Sequence, residues 1–304
     1  KTQLNTEIAV SNNDKNLFSS IDDNENVAVA ATIGWQQTYI DKKWQLKSNI
    51  NHQFVQRNFQ TIQRWEPIEF NREWNILTNL PTKNFFQSEI LLQKKEQHLL
   101  YKYENLQYTA AFKGNKNEIQ AKFNLKNTTF SGKGSFLTNT STLEDNSFYV
   151  AKATIEHRFQ KSWIGSFVNF ENNSRKDINT NEFVNTSHRF KEYEGYVGIG
   201  DTTAIFAKFG VNYRTNDSIK SNQFAKINNR KTFYIDSKLI KSKQTNLSIF
   251  ANYRITENSF TEDEKTLNSR IVFSQKLFDS FINLSTIYET SSGNVARQDF
   301  IYVK

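Results

Sequence analysis

Ser187 and His188 are adjacent in a polar stretch that also holds Asp177, and a hydroxyl, an imidazole and a carboxylate are the parts of a hydrolytic site. Nothing in their spacing fixes a geometry, so they nominate hydrolysis without establishing it. Asp22-x-Asn24-x-Asn26 opens like a calcium loop. Val27 then stands where the sharp turn needs glycine, and no glutamate closes the motif, so a solvated loop is the simpler account. The glycines of Gly195-Tyr196-Val197-Gly198-Ile199-Gly200 have no helix after them and make no dinucleotide fingerprint. His52, His98, His157 and His188 show no paired metal spacing, and cysteine is absent, which removes thiolate ligands and nucleophiles. No phosphate loop is present. No cofactor and no metal are expected, and an enzyme is not the favoured reading.

The dominant feature of the stretches that carry these residues is alternation. In Leu247–Ile255 the odd positions are Leu, Ile, Ala, Tyr and Ile, while Ser248, Asn252 and Arg254 fall between them. Side chains of a strand point alternately to its two faces, so this run has one apolar and one largely polar face. Ile205, Ala207, Phe209, Val211 and Tyr213 repeat the pattern against Lys208, Asn212 and Arg214. So do Leu267, Ile271, Phe273 and Leu277 against Asn268, Arg270 and Lys276. Earlier strands are expected at 4–10, 27–39, 44–54, 85–93, 119–125, 130–138 and 149–158. Trp163–Phe170 is apolar on both faces, which leaves its orientation open. In 97–113 the apolar face changes from odd (Leu99, Tyr101, Tyr103) to even (Leu106, Tyr108, Ala110, Phe112). A β-bulge near Glu104-Asn105 or an extra turn would explain the change, and the bulge preserves the surrounding rhythm.

With that bulge, short turns fall near 40–43, 94–96, 126–128, 160–162, 200–202, 242–244 and 278–280. The connections between them are longer: 11–26, 58–84, 139–146, 172–188, 215–230, 257–266 and 291–296. The piece at 114–117 is the exception. This pattern predicts an all-β fold, a transmembrane antiparallel meander β-barrel of about 16 strands in one domain spanning 1–304, with tight turns on the periplasmic side. Composition agrees. The chain has 26 Phe and 12 Tyr yet a mean hydropathy of −0.69, a mixture expected where alternate residues face lipid and a polar lumen. The longest near-apolar run, Val27–Trp35, is about half of what a membrane helix needs. Tyr39, Trp44, Phe159, Trp163, Phe278 and Tyr288 sit where strands meet turns, as an interfacial girdle would. His52 and His157 fall on lipid-facing registers.

Net charge is +8, with the basic residues spread along the strands rather than gathered in the single patch that a nucleic-acid surface requires, so no nucleic acid is expected. Lys122, Lys152, Arg158, Lys208, Arg214, Arg254 and Arg270 are expected to face the lumen. The 58–84 segment interrupts the strands, carries both prolines, Pro67 and Pro81, and concentrates Phe59, Trp65, Phe70 and Trp74. Asn71 is a candidate cap for a short helix bearing Phe70, Trp74 and Leu77. Trp65, Phe70 and Trp74 should be covered, by a constriction formed in the lumen or, the favoured alternative, by a second envelope protein.

By pattern the chain resembles bacterial outer-membrane β-barrels, and its Asn-, Lys- and Phe-rich style is similar to large barrels of Bacteroidota-type bacteria. Trp65-Glu66-Pro67-Ile68-Glu69-Phe70-Asn71-Arg72-Glu73-Trp74 resembles inserts of uncharacterised barrels in that group. The resemblance implies outer-membrane location, lipid contact, and a role in transport or in a larger envelope assembly. An outer-membrane hydrolase and a non-membrane surface adhesin are the alternatives. Barrels of this class end on an aromatic residue, whereas this sequence ends Tyr302-Val303-Lys304. With no signal segment at Lys1, that reads as a portion of a longer protein or of a larger barrel.

Overall fold

The computed structural model describes residues 1–13, 26–41, 43–62, 66–76, 81–278 and 281–293. Its strands are β1 (Thr2–Asn12), β2 (Val27–Asp41), β3 (Trp44–Val55), β4 (Lys83–Lys94), β5 (Gln97–Tyr108), β6 (Phe112–Leu125), β7 (Thr128–Ser141) and β8 (Glu144–Arg158). They continue as β9 (Ser162–Asp177), β10 (His188–Gly200), β11 (Phe206–Lys220), β12 (Gln223–Lys241), β13 (Thr245–Asn258), β14 (Glu264–Leu277) and β15 (Ile282–Gly293). All 15 belong to one sheet in strict sequence order. The chain is an all-β antiparallel meander, with one short helix, α1 (Phe70–Glu73), among the described residues. About 16 strands were expected, and the stretch after Gly293 lies outside the described residues. The chain divides into two compact units, one of residues 1–123, 131–151 and 172–187, the other of 124–130, 152–171 and 188–304.

Residues directly opposite in an antiparallel pair share a face, so the registers assign every side chain of a paired strand. In the second unit Val197 pairs with Phe209, Phe209 with Ile235, Ile235 with Ala251, and Ile249 with Ile271. This is an apolar face. On the other face Glu192 pairs with Arg214 and Arg214 with Arg230, while Arg254 pairs with Thr266 and Arg270 with Glu289. The first unit repeats the division. Leu4, Trp35, Ile50 and Ser88 align across β1–β4, opposite a face carrying Gln36, Asn49, Glu89 and Lys102.

The apolar faces are exposed: Ile8 is 75% accessible, Tyr39 63%, Ile119 52% and Phe209 53%. Away from the tight turns these faces become polar, and tyrosines mark the change. The Tyr101 hydroxyl bonds Asn117 (2.8 Å) and that of Tyr103 bonds Asn115 (2.9 Å). An amphipathic ring bonded at its polar tip suits such a border.

Short connections stand at the expected turns near 94–96, 126–128, 160–162, 200–202 and 242–244, while those at 40–43 and 278–280 include residues outside the described ones. In the β10–β11 turn, Asp201 accepts from the Thr203 hydroxyl (2.7 Å) and amide (2.8 Å), which hold its carboxyl below the usual range. The other side is less regular than expected. No bulge interrupts 97–108; the register with β6 is continuous to Tyr108–Phe112, and residues 109–111 form a tight turn with Ala110 at φ 56°. The apolar side switches because the covering of the opposite face changes there, as described below. The expected 215–230 loop is a hairpin, with a register shift at Asn216/Asp217. Residues 139–146 likewise shrink to a turn between β7 and β8. Trp163 leaves the girdle: it is 4% exposed, on the polar face, where an added Cβ on Gly198 would meet its indole at 2.2 Å.

Ser221 and Asn222 turn the β11–β12 hairpin with φ of 49° and 58°. Two left-handed residues in a two-residue loop match the right-handed twist of the strands, and β-branched side chains are penalised there by about 1–2 kcal/mol each. Ser221→Gly should raise the denaturant midpoint and Asn222→Val should lower it, measured by the heat-modifiable gel shift. Equal midpoints would contradict the turn assignment.

Candidate functional site

In the first unit the 56–82 connection folds onto the polar face. α1 has four residues, far too short to be stable alone. Its N-cap is Glu69, without a side-chain cap bond, so Asn71 is not the cap; Leu77 lies outside the described residues. Packing holds the helix instead. Phe70 is 6% exposed and Trp74 1%, buried with Phe85, Leu106, Phe112 and Leu137. Phe85 meets the rings of Phe70 and Trp74 edge-on, each at 5.9 Å between centroids. Leu106 and Phe112 are among the even-numbered apolar residues that broke the alternation. They point to the polar face because α1 covers them there.

Polar bonds fix the segment around this cluster. Asn75, at φ 53°, exchanges two side-chain bonds with Asn173 (3.0 and 3.1 Å). Asn139 donates to the Trp74 carbonyl at 2.8 Å. Lys83 pairs with Glu66 at 2.5 Å and lies 4.9 Å from the Phe70 ring centroid; Lys116 reaches Glu73 at 3.1 Å and Glu104 at 3.9 Å. Gly114 admits the indole: a Cβ there would lie 3.0 Å from both Trp74 and Asn139. Phe70 and Trp74 are therefore covered by this chain. Trp65 lies outside the described residues.

The expected basic residues differ in their compensation. Arg158 bonds Glu156 (2.8 Å), Lys208 lies 3.5 Å from Glu194, Arg214 3.6 Å from Glu192, and Arg270 2.9 Å from Glu289. Arg254 reaches the Thr266 hydroxyl at 3.3 Å. Lys122 pairs in register with His98, on the face of Lys102 and Glu118; Lys152 is an exposed residue of β8. Below the arginines Tyr196 bonds Glu156 (3.0 Å) and Tyr234 bonds Glu194 (2.5 Å). Arg230, missed in the sequence because it fell in the supposed loop, stands directly across from Arg214. The Ser221-Asn222 turn signal was what could have placed it in a strand.

Ser187, His188 and Asp177 do not form a hydrolytic relay. Ser187 is 1% exposed and its hydroxyl both donates to the Arg175 carbonyl and accepts from the Arg175 amide, each at 2.9 Å. His188 Nε2 meets Glu171 at 2.8 Å, and Asp177 caps the amides of Asn179 and Thr180. His157 lies beside Ile155 on the apolar face, with Thr128 on Nδ1 at 2.8 Å and Phe159 stacked edge-on. The calcium-like Asp22 and Asn24 lie outside the described residues, and among the described residues no acidic or histidine cluster could hold a metal.

Fold and site together define a two-faced antiparallel meander whose polar face is charge-paired and partly covered by an infolded connection. No protein-family model and no curated protein matches the chain. Among solved structures it is similar to the outer-membrane expressed OmpT of Vibrio cholerae (8% identity, TM-score 0.37, covering 96% of this chain and 93% of that one). It is also similar to Pseudomonas aeruginosa OccK5 (8%, 0.37, 88% and 86%) and a mutant of the Rh. blastica porin (7%, 0.31, 96% and 99%). At such scores the likeness carries no weight of its own.

Trp74→Ala removes the anchor of α1, at a cost of about 3–5 kcal/mol for a buried aromatic. The remaining contacts of Phe70 and the polar bonds around it should not hold α1 without the indole, so limited trypsin digestion should then cut at Arg72 while the strands stay intact. Parent-like resistance would show that the indole does not hold the segment.

Proposed function

We propose that the chain is a non-enzymatic β-barrel of the bacterial outer membrane that passes polar solutes, its 56–82 connection narrowing the lumen. The observation that carries this reading is the pairing of an exposed apolar face with a charged, partly covered one. Among the described residues the buried hydrophobic cluster holds only Phe70, Trp74, Phe85, Leu106, Phe112 and Leu137. A water-soluble protein of this size buries its large apolar side chains, and soluble surfaces avoid apolar patches beyond a few hundred Å². Lipid is the solvent that such a face suits, and an inward polar face then lines the path. This also weighs against a non-membrane adhesin. The occupied hydroxyl of Ser187 weighs against a hydrolase.

A second reading keeps the barrel and adds an envelope protein docked on the same connection. Ile62 is 106% accessible and Ile68 80%, so the segment presents apolar side chains outward as well as burying Phe70 and Trp74.

Two experiments test the proposal. Deleting Ile62–Leu80 should leave an assembled barrel with higher single-channel conductance in planar bilayers; parent-like conductance would remove the constriction, and loss of a co-purifying protein would promote the second reading. Ile249→Arg should impair assembly into vesicles, since charge at a lipid-facing midplane costs about 2–4 kcal/mol, whereas Arg254→Gln should assemble normally. Equal tolerance of both would overturn the assignment of faces.

A further inference from the structure

Arg214, Arg230 and Arg254 occupy three consecutive strands, β11, β12 and β13, on one face of the second unit. Arg214 and Arg230 are directly opposite in register, and Arg254 is opposite Thr232, one step diagonally from Arg230. Like charges placed directly opposite each other destabilise a sheet. Such a row persists only where something offsets the repulsion. Among the described residues the one carboxylate that acts on both Arg214 and Arg230 is that of Glu192, a single negative charge against three positive ones. Arg214 bonds Asn216 (2.8 Å), stacks 3.9 Å over the Phe190 ring and has Glu192 at 3.6 Å, a carboxylate that also accepts from Asn212 (2.9 Å). Arg254 has the Thr266 hydroxyl. Arg230 faces Thr256 across β13 and has no ion pair or hydrogen bond to its guanidinium among the described residues. The three are partly buried, so water screens them less than it would at an open surface.

We propose that Arg214, Arg230 and Arg254 form a binding subsite for small anions bearing carboxylate or phosphate oxygens, with Arg230 at its centre. Planar guanidinium groups offer paired N–H donors that match the two oxygens of either group. Thr232, Thr256 and Thr266 add hydroxyls along the same face. Arg270 defines the contrast: it is held by Glu289 at 2.9 Å and should not take part. The subsite gives the proposed path a substrate class, and rests on that reading for its role in transport though not for the binding itself.

The test separates the two. The full chain, folded in detergent micelles, is titrated calorimetrically with inorganic phosphate and with citrate, and separately with phosphatidylglycerol in mixed micelles. Parent protein should bind both free anions. Arg230→Gln and Arg254→Gln should each weaken binding about tenfold, the loss of one charge-assisted contact, while Arg270→Gln leaves it unchanged. Thermal gel shifts confirm that each variant is folded; should Arg230→Gln not fold, Arg230→Lys, which keeps the charge and loses the fork, should weaken citrate binding in its place. No binding by the parent, parent-like binding by both variants, or a response to phosphatidylglycerol alone would overturn the subsite. Binding without any bilayer conductance would retain it and remove the transport reading.

Discussion

A strand cannot choose the face of one side chain without fixing the faces of all its neighbours, and this period of two governs the molecule. Once Phe209 lies on the apolar side, Lys208 and Gly210 must lie on the other, and the registers carry that choice from β10 to β15. The two faces have opposite solvent requirements. Large aliphatic and aromatic side chains cover one, while ion pairs such as Lys133–Glu118 (2.9 Å) and Lys102–Glu104 (2.7 Å) line the other. A slip of one residue in any strand would place charges among the apolar side chains. Close fits restrain such slips on the polar side: a Cβ at Gly210 would meet the Tyr234 ring at 2.2 Å, and one at Gly165 the Tyr196 ring at 2.3 Å.

The infolded connection is an exception that the same constraint explains. A sheet face turns apolar only where something dry covers it. Leu106 and Phe112 are apolar on an otherwise polar face because Phe70 and Trp74 lie over them. Sequence and covering thus change together. Asn75, Asn139 and Asn173 meet the polar backbone and side-chain needs that the buried segment brings with it, since an unbonded amide there would cost about 1–3 kcal/mol.

This explains what could be read from the sequence. Strands that alternate at all but one position, such as Leu247–Ile255 with Phe250 as its exception, were legible, as were the short turns, because their polar and glycine residues interrupt an apolar face. The hairpins at 109–111 and 221–222 were not. Beyond the apolar belt both faces are polar, so 215–230 lost its periodicity while remaining strand, and Arg230 was hidden with it. The switch at Leu106 imitated a bulge because alternation reports environment, and the environment had changed while the register had not. Ser187 beside His188 suggested chemistry by adjacency alone; the hydroxyl is spent on the Arg175 backbone.

The sequence contains no cysteine, so single cysteines can be introduced without background. The most direct test of the two-faced account places one at each position from 249 to 254 in turn, in protein assembled into lipid vesicles. Labels at 249, 251 and 253 should be quenched by a lipid-dissolved quencher, and cysteines at 252 and 254 should react with a charged, water-soluble reagent. Uniform reactivity along the strand, or alternation of the opposite phase, would contradict the account.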